Sequence, residues 1–365
     1  MAAMTKSPAV CRAQVLAYRT VANDLHERHD GDPTGLAVLA LGVPNVPAGS
    51  ARQALAARCT DPRGGDLTLA WSTRGAPHLH RPADLPDLAG ALWPLSDADA
   101  AARYATGQLP KAAAELGLAA FSATAAALRE VVRRPTAKGE VSRAVSDLVP
   151  PELTYDCKPC GARHISGGLL QLAGLGGGVR LEEDAAKTVL APIAPRPKQP
   201  AKASGTAEFI KVYLRLLGPA TPGDVAKYLG TTVSAVKPVW PEDLAAVSVD
   251  GKTAWLPAED LDGLLAAAPV EGVRLLPPSD PFLQARDRSV LVPDKAQAKE
   301  VWRMLGNPGV LLVDGDIAGT WRARAVHQRL EVSVTPWTSV SAASVQREAE
   351  TVAAVRGLGS VEVRL

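Results

Sequence analysis

The chain has 365 residues, enough for two to four domains rather than one small core. Its 40 basic and 38 acidic side chains leave a net charge of +2, which excludes a global basic field, so any nucleic-acid surface has to be a local patch. Apolar runs such as Leu36–Val43 are too short to span a bilayer, the N-terminal MAAMTKSPAV has no signal-peptide core, and four cysteines make no disulfide framework, so a cytoplasmic protein is expected.

A helix is expected over Cys11–Glu27, where Val15, Leu16, Tyr18, Val21, Ala22 and Leu25 recur at helical spacing. Leu36–Gly42 reads as a short apolar helix, and Ser50 as the cap of a third, SARQALAARC. Leu67–His80 then alternates as two strands, LTLAWS and APHLHR, around Thr73-Arg74-Gly75. Three helices followed by a hairpin is the order of a winged helix-turn-helix, so residues 1–95 are assigned to a first such module.

Residues 96–190 repeat the order. Ala119–Arg134 carries Phe121, Leu128, Val131 and Val132 on one face. Thr136 is expected to cap TAKGEVSRAVSDLV, which Pro150-Pro151 ends. A third helix begins near Ser166, and Gly176-Gly177-Gly178 with the strand VRLEE supplies the wing. Residues 191–205 are a linker, because PIAPRPKQPAKASG has no apolar periodicity and is rich in Pro and Lys. Its Arg196, Lys198 and Lys202 either lie along a phosphate backbone or are simply solvated.

Residues 206–262 form the clearest module. Phe209, Ile210, Tyr213, Leu214 and Leu217 make one apolar helix face, which Gly218-Pro219 ends. Thr221 caps a second helix, with Pro222 at its first position and Asp224 near its start. Thr232 or Ser234 starts a third. The strands AAVSVDG and KTAWLP are joined at Asp250-Gly251, the strongest short hairpin signal there is. Beyond, in 263–365, VRLLPP, SVLVP, GVLLVDG, IAGTWRARAV and RLEVSVTPW alternate with turns, followed by a helix near Ser341–Val355 and the strand SVEVRL. The expected fold class is therefore α+β: three tandem winged helix-turn-helix modules and a C-terminal antiparallel β-barrel-like domain.

Three clusters carry candidate chemistry. In the hairpin Trp71–His78, Arg74 beside Gly75 can grip a phosphate and His78 or His80 a base or sugar, with Trp71 and His78 expected on one ribbon face. The same arginine can equally pair with a carboxylate on a solvated wing. Cys157, Cys160 and His164 in CKPCGARH offer three zinc ligands, but the other cysteines, Cys11 and Cys59, are distant in sequence. A turn of buried thiols is the competing reading. Asp280, Arg286, Asp287 and Arg288 in SDPFLQARDR either clamp DNA or form an internal salt-bridge network. No Walker loop, GxGxxG after a strand, HExxH or GxSxG is present, which disfavours nucleotide hydrolysis and hydride transfer.

Taken together, the RGxxH hairpin, the CxPCGxxH turn, LLPPxDPxLxxRDR and the GTWR strand (Gly319–Arg322) resemble the AlkZ/YcaQ-like winged-helix DNA glycosylases, from roughly Ala13 to Trp337. The resemblance implies three winged helices around a channel plus a β-barrel. It implies excision of alkylated bases, including unhooking of crosslinks, and in some members self-protection of antibiotic producers. It also implies a catalytic motif of Gln or His followed two residues later by Gln or Asp. At that place this chain reads Pro44-Asn45-Val46, so Asn45 is the only polar side chain there, and Gln53 lies one helix further on.

Two readings follow from the resemblance. One is a cofactor-free, monomeric glycosylase that acts on double-stranded DNA carrying bulky or cationic N7-alkylguanine-type lesions. It would use Asn45 for catalysis, with Trp71, Arg74, His78, His80 and Gln53 facing DNA. The other is a non-catalytic winged-helix DNA-binding protein, for damage recognition or regulation, in which Asn45 caps the following turn.

Overall fold

In the computed structural model, which describes residues 7–104, 114–159 and 161–365, the chain is mixed α+β and divides into two interleaved units. One gathers Met1–Gly65, Lys211–Asp224 and Glu242–Leu365; the other gathers Asp66–Ile210 and Val225–Pro241. Among the described residues no helix is long and apolar enough to cross a membrane.

In the first unit the helix Arg12–Ala22 buries Val15 and Leu16 and, alongside them, Arg19. That guanidinium reaches both Asp287 carboxylate oxygens at 3.0 and 2.6 Å and donates to the carbonyls of Gly218 and Pro219. A cation is tolerated there because charge and donors are both matched. The expected helix over Leu36–Gly42 is only a 3-10 turn, Ala37–Ala40. Such a short run cannot meet the cost of nucleating an α-helix, and Gly42 at φ 83° turns the chain away.

The hairpin forms where the sequence puts it. Leu244–Val249 and Lys252–Pro257 are antiparallel, with Val249 opposite Lys252, and Asp250 and Gly251 hold φ of 46° and 83°. Two successive positive φ values give the twist that matches the strands, which is why Asp-Gly is found there. Ahead of it, Thr221 and Asp224 cap the next helix reciprocally: each side chain accepts the other's backbone N–H, at 3.2 and 3.1 Å.

The C-terminal sheet has five strands in sequence order: Val273–Leu276, Gly309–Val313, Asp316–Val326, Arg329–Pro336 and Ser360–Arg364. It is a curled half-barrel, bent by a register shift at Leu311/Leu312, and its two outer strands do not meet. The expected antiparallel domain is corrected at its last strand, which runs parallel to Arg329–Pro336. The helix Ala342–Val355 supplies the crossover that a parallel pair requires. Its Val345, Ala349, Val352 and Ala353 pack on Leu275, Leu311, Trp321, Leu330, Val332 and Val334.

In the second unit the strands Pro77–His80, Thr68–Trp71, Val179–Leu181, Val189–Pro192 and Thr136–Ala137 lie side by side in that order, each pair antiparallel. Thr136 is thus a strand residue, not a cap. Its backbone pairs with Leu190, its hydroxyl donates to the Arg134 carbonyl at 2.9 Å, and Lys138–Leu148 starts with no side-chain cap. Arg196 is tied down as well: it donates to the carbonyls of Arg129 and Gly177, both at 2.9 Å.

Candidate active site and adjoining cavity

The segment aligned with the expected catalytic motif lies in the first unit and leads into the helix Ser50–Ala56. Asn45 is 6% exposed, and its Oδ1 accepts the Ala51 N–H at 3.2 Å. That N–H is one of the donors a helix start leaves without an intrahelical partner, so Asn45 caps the helix from upstream. Gly49 occupies the cap position itself at φ 84°, a conformation serine adopts poorly. Ser50, the expected cap, falls inside the helix instead, and its hydroxyl donates back to the Pro44 carbonyl at 3.2 Å. The Val46 carbonyl accepts from the Ser279 hydroxyl, which fastens the segment to the chain after Leu276.

One helical turn on, Gln53 lines a cavity of ≈ 460 Å³ that also touches Ser50, Asn307, Trp321, Arg322 and Arg356. Gln53 is 3% exposed, and Arg356 Nη2 donates to its Oε1 at 3.0 Å. A guanidinium only donates, so this contact fixes which way the amide faces. Gln53 Nε2 is left buried with no hydrogen-bond partner among the described residues. An orphaned donor of that kind costs roughly 1–3 kcal/mol. Trp321 forms one wall, its indole N–H donating to the Leu276 carbonyl at 2.9 Å. Gly309 makes room for the ring, because a Cβ there would stand 2.4 Å from it. Arg322 donates to the Gly306 carbonyl at 2.6 Å.

The Trp71–His80 hairpin belongs to the second unit. Its register sets Trp71 against Pro77 and Ala70 against His78. Opposed residues share a face and neighbours alternate, so Trp71 and His78 lie on opposite faces rather than on the expected common one. Trp71 is 3% exposed and His80 fully buried, with His80 Nε2 against Ser72 Oγ at 2.9 Å. His78 is buried too; its Nδ1 donates to the Ala76 carbonyl at 2.9 Å. Burial pushes its pKa down to about 4, and the Arg74 charge adds to the effect although the Ala76 bond opposes it. It is neutral near pH 7 and no cationic clamp for phosphate. Of the four hairpin side chains singled out in the sequence, Arg74 alone is exposed. It sits at φ 56°, with its stem against Gly230.

Cys157 ends the strand Thr154–Cys157 opposite Ala162, and Cys160 lies outside the described residues. His164 Nδ1 donates to the Ile165 carbonyl at 2.8 Å, which with a weaker bond to Cys157 raises the pKa of the ring. Among the described residues no three His, Cys, Asp or Glu side chains converge as a metal site. In SDPFLQARDR the two carboxylates turn inward. Asp280 meets Arg58 through two contacts of 2.8 and 2.7 Å, both side chains at 0% exposure, and Asp287 meets Arg19. Arg356 was not singled out in the sequence. It ends the helix Ala342–Val355, and no local spacing marks it; only the fold brings it to Gln53.

The sequence model of the family described as "DNA glycosylase AlkZ-like" matches residues 43–359. A curated protein of Streptomyces sahachiroi, "Interstrand DNA cross-link repair glycosylase", is 33% identical over 181 residues, 46% of this chain and 47% of that protein. That alignment therefore spans about half of the relative's length. The solved structure of Streptomyces sahachiroi DNA glycosylase AlkZ superposes with a TM-score of 0.72, covering 98% of this chain and 99% of that one at 22% identity. At that identity the likeness establishes the fold.

Proposed function

The chain belongs to the AlkZ-like DNA glycosylase family, and from that premise we propose that it excises bulky or cationic alkylated purines of the N7-alkylguanine kind from double-stranded DNA. The pathway is repair of alkylation or crosslink damage, or self-resistance in an antibiotic producer. The observation that carries this reading is the family match over residues 43–359, which takes in the Asn45 segment, the Arg74 hairpin and the first four strands of the C-terminal sheet. We read the helices and hairpins as winged-helix modules over 1–95, 96–190 and 206–262, with 191–205 as linker and 263–365 as the barrel-like part. Arg74 contacts the DNA backbone. The protein works as a cytoplasmic monomer without a cofactor.

The chemistry asked of the site is modest. Breaking the glycosidic bond leaves a cationic sugar, which water then attacks. An N7-alkylated guanine already carries positive charge and departs as a neutral base, so no acid is needed to protonate it. Asn45 can hold a water but cannot act as a strong base.

One observation favours the alternative, a DNA-binding protein without chemistry. Pro44 and Val46 fill the two polar positions of the motif, and the Asn45 carbonyl oxygen is occupied by Ala51 N–H. Base release from duplex DNA carrying N7-alkylguanine separates the two readings, with strand cleavage at the abasic site as readout. Release that scales with enzyme and is lost in Asn45→Ala supports catalysis at this segment. Tight, salt-dependent binding with no release supports the alternative.

A further inference from the structure

The cavity beside Gln53 has the wrong charge for a cationic base. Its lining includes Arg322 and Arg356 and no carboxylate. Four arginines of the same unit are matched by acids, Arg12 by Asp316, Arg19 by Asp287, Arg28 by Glu348 and Arg58 by Asp280. Arg322 and Arg356 instead donate to neutral oxygens, the Gly306 carbonyl and Gln53 Oε1. Gln53 also lines the cavity and accepts the Arg356 bond through Oε1, while its Nε2 is buried. Two cations that border one cavity and bond only to neutral oxygens describe a receptor for an oxyanion.

We propose that this cavity binds a backbone phosphate of the DNA, with the guanidiniums of Arg322 and Arg356 as its donors. The site rests on the reading of the chain as a DNA-acting protein and gives that reading an anchor point. The phosphate fixes the register of the strand, while the alkylated base lies elsewhere, away from the two positive charges.

The test uses the full chain and a duplex carrying N7-alkylguanine, with binding followed by fluorescence anisotropy between about 50 and about 200 mM salt. The double variant Arg322→Ala/Arg356→Ala is expected to lower the magnitude of the slope of log K against log salt by about 0.9, the value for one phosphate contact, and each single variant by part of that. Over that range the double variant should lose about 3.5-fold less affinity than the wild type does. Arg356→Lys, which keeps the charge, should restore most of the slope and so separates a lost contact from a damaged fold. Gln53→Glu should weaken binding more than Gln53→Ala, because it sets a carboxylate against the anion. Unchanged slopes in both arginine variants overturn the site, and persisting base release then leaves the glycosylase reading standing. Lowered slopes without any base release keep the site and remove the glycosylase reading. Inorganic phosphate is titrated separately: binding that Arg356→Ala abolishes, with no change in the DNA salt slope, would mean a free-anion site and overturn the proposal.

Discussion

Asp280→Ala isolates what the LLPPxDPxLxxRDR motif is for. Asp280 takes two bonds from Arg58 at 2.8 and 2.7 Å and the Phe282 N–H at 2.9 Å, and both charged side chains are at 0% exposure. Arg58 also donates to the carbonyls of Asn23 and Ala54. Truncation leaves those two bonds but strands a guanidinium in the interior. Breaking one side of such a pair costs about 3–5 kcal/mol. At about 2–4 °C per kcal/mol for a cooperative unit of this size, the melting temperature should fall by roughly 6–20 °C. Asp280→Asn, which keeps one acceptor but neither the charge nor the second acceptor that Arg58 uses, should fall between. The double variant Arg58→Met/Asp280→Leu should recover most of the loss, because an apolar pair carries no desolvation penalty. Urea and thermal unfolding followed by circular dichroism measure this, with DNA affinity taken well below every midpoint. A melting temperature within about 2 °C of wild type, or a drop in DNA affinity at full stability, would show that Asp280 serves DNA rather than the fold.

Two further outcomes follow from the second unit. Arg74→Ala should lower the salt slope of DNA binding by about 0.9 if the exposed guanidinium meets one phosphate; an unchanged slope takes Arg74 out of the interface. The folded pKa of His78, about 4, lies below the 6.5 of the free side chain, so the unfolded chain binds the proton first. Its contribution is therefore complete above pH 6.5 and is lost as pH falls through 4, by roughly 3 kcal/mol in all. Urea midpoints at several pH values should show this decline in the wild type and a shallower one in His78→Gln; equal declines in the two proteins would refute the assignment.

What was legible in the sequence is what a few neighbouring residues decide. Asp250-Gly251 forces its own turn, and Thr221 with Asp224 closes a cap whose two bonds both lie within three residues, so the signal and the structure coincide. Thr136 carried an equally good capping signal and lost it to a distant strand, because pairing with Leu190 satisfies its backbone outside any helix. The face shared by Trp71 and His78 failed for another reason: a single residue of register moves a side chain to the other side of a ribbon, and the turn at Arg74 sets that register. The last strand read correctly as a strand, but its direction depended on recognising Ala342–Val355 as a crossover. The cavity was the least legible part. Gln53 and Arg356 meet only because that crossover helix packs on the C-terminal sheet, and nothing within a window around either residue reports the other.

The place of Asn45 constrains the chemistry more than its identity does. On the reading that Asn45 acts on the nucleotide, its neutral amide can accept a further hydrogen bond through the oxygen that takes the Ala51 N–H and can donate through its nitrogen. A neutral amide cannot take a proton from the attacking water, and among the described residues the nearby cavity is lined by no carboxylate. Two consequences follow. On that reading the site makes neither the leaving group nor the water better; it orients water and holds the strand. Bond breaking must then be driven by charge already present on the base. N7-alkylguanine meets that condition and O6-alkylguanine, which is neutral, does not. In the base-release assay the first should be released and the second left intact, and comparable release of both would mean that a base or acid other than Asn45 does the work. The phosphate anchor fits the same logic: with little chemical assistance available, accurate placement of the strand is the main contribution the protein can make.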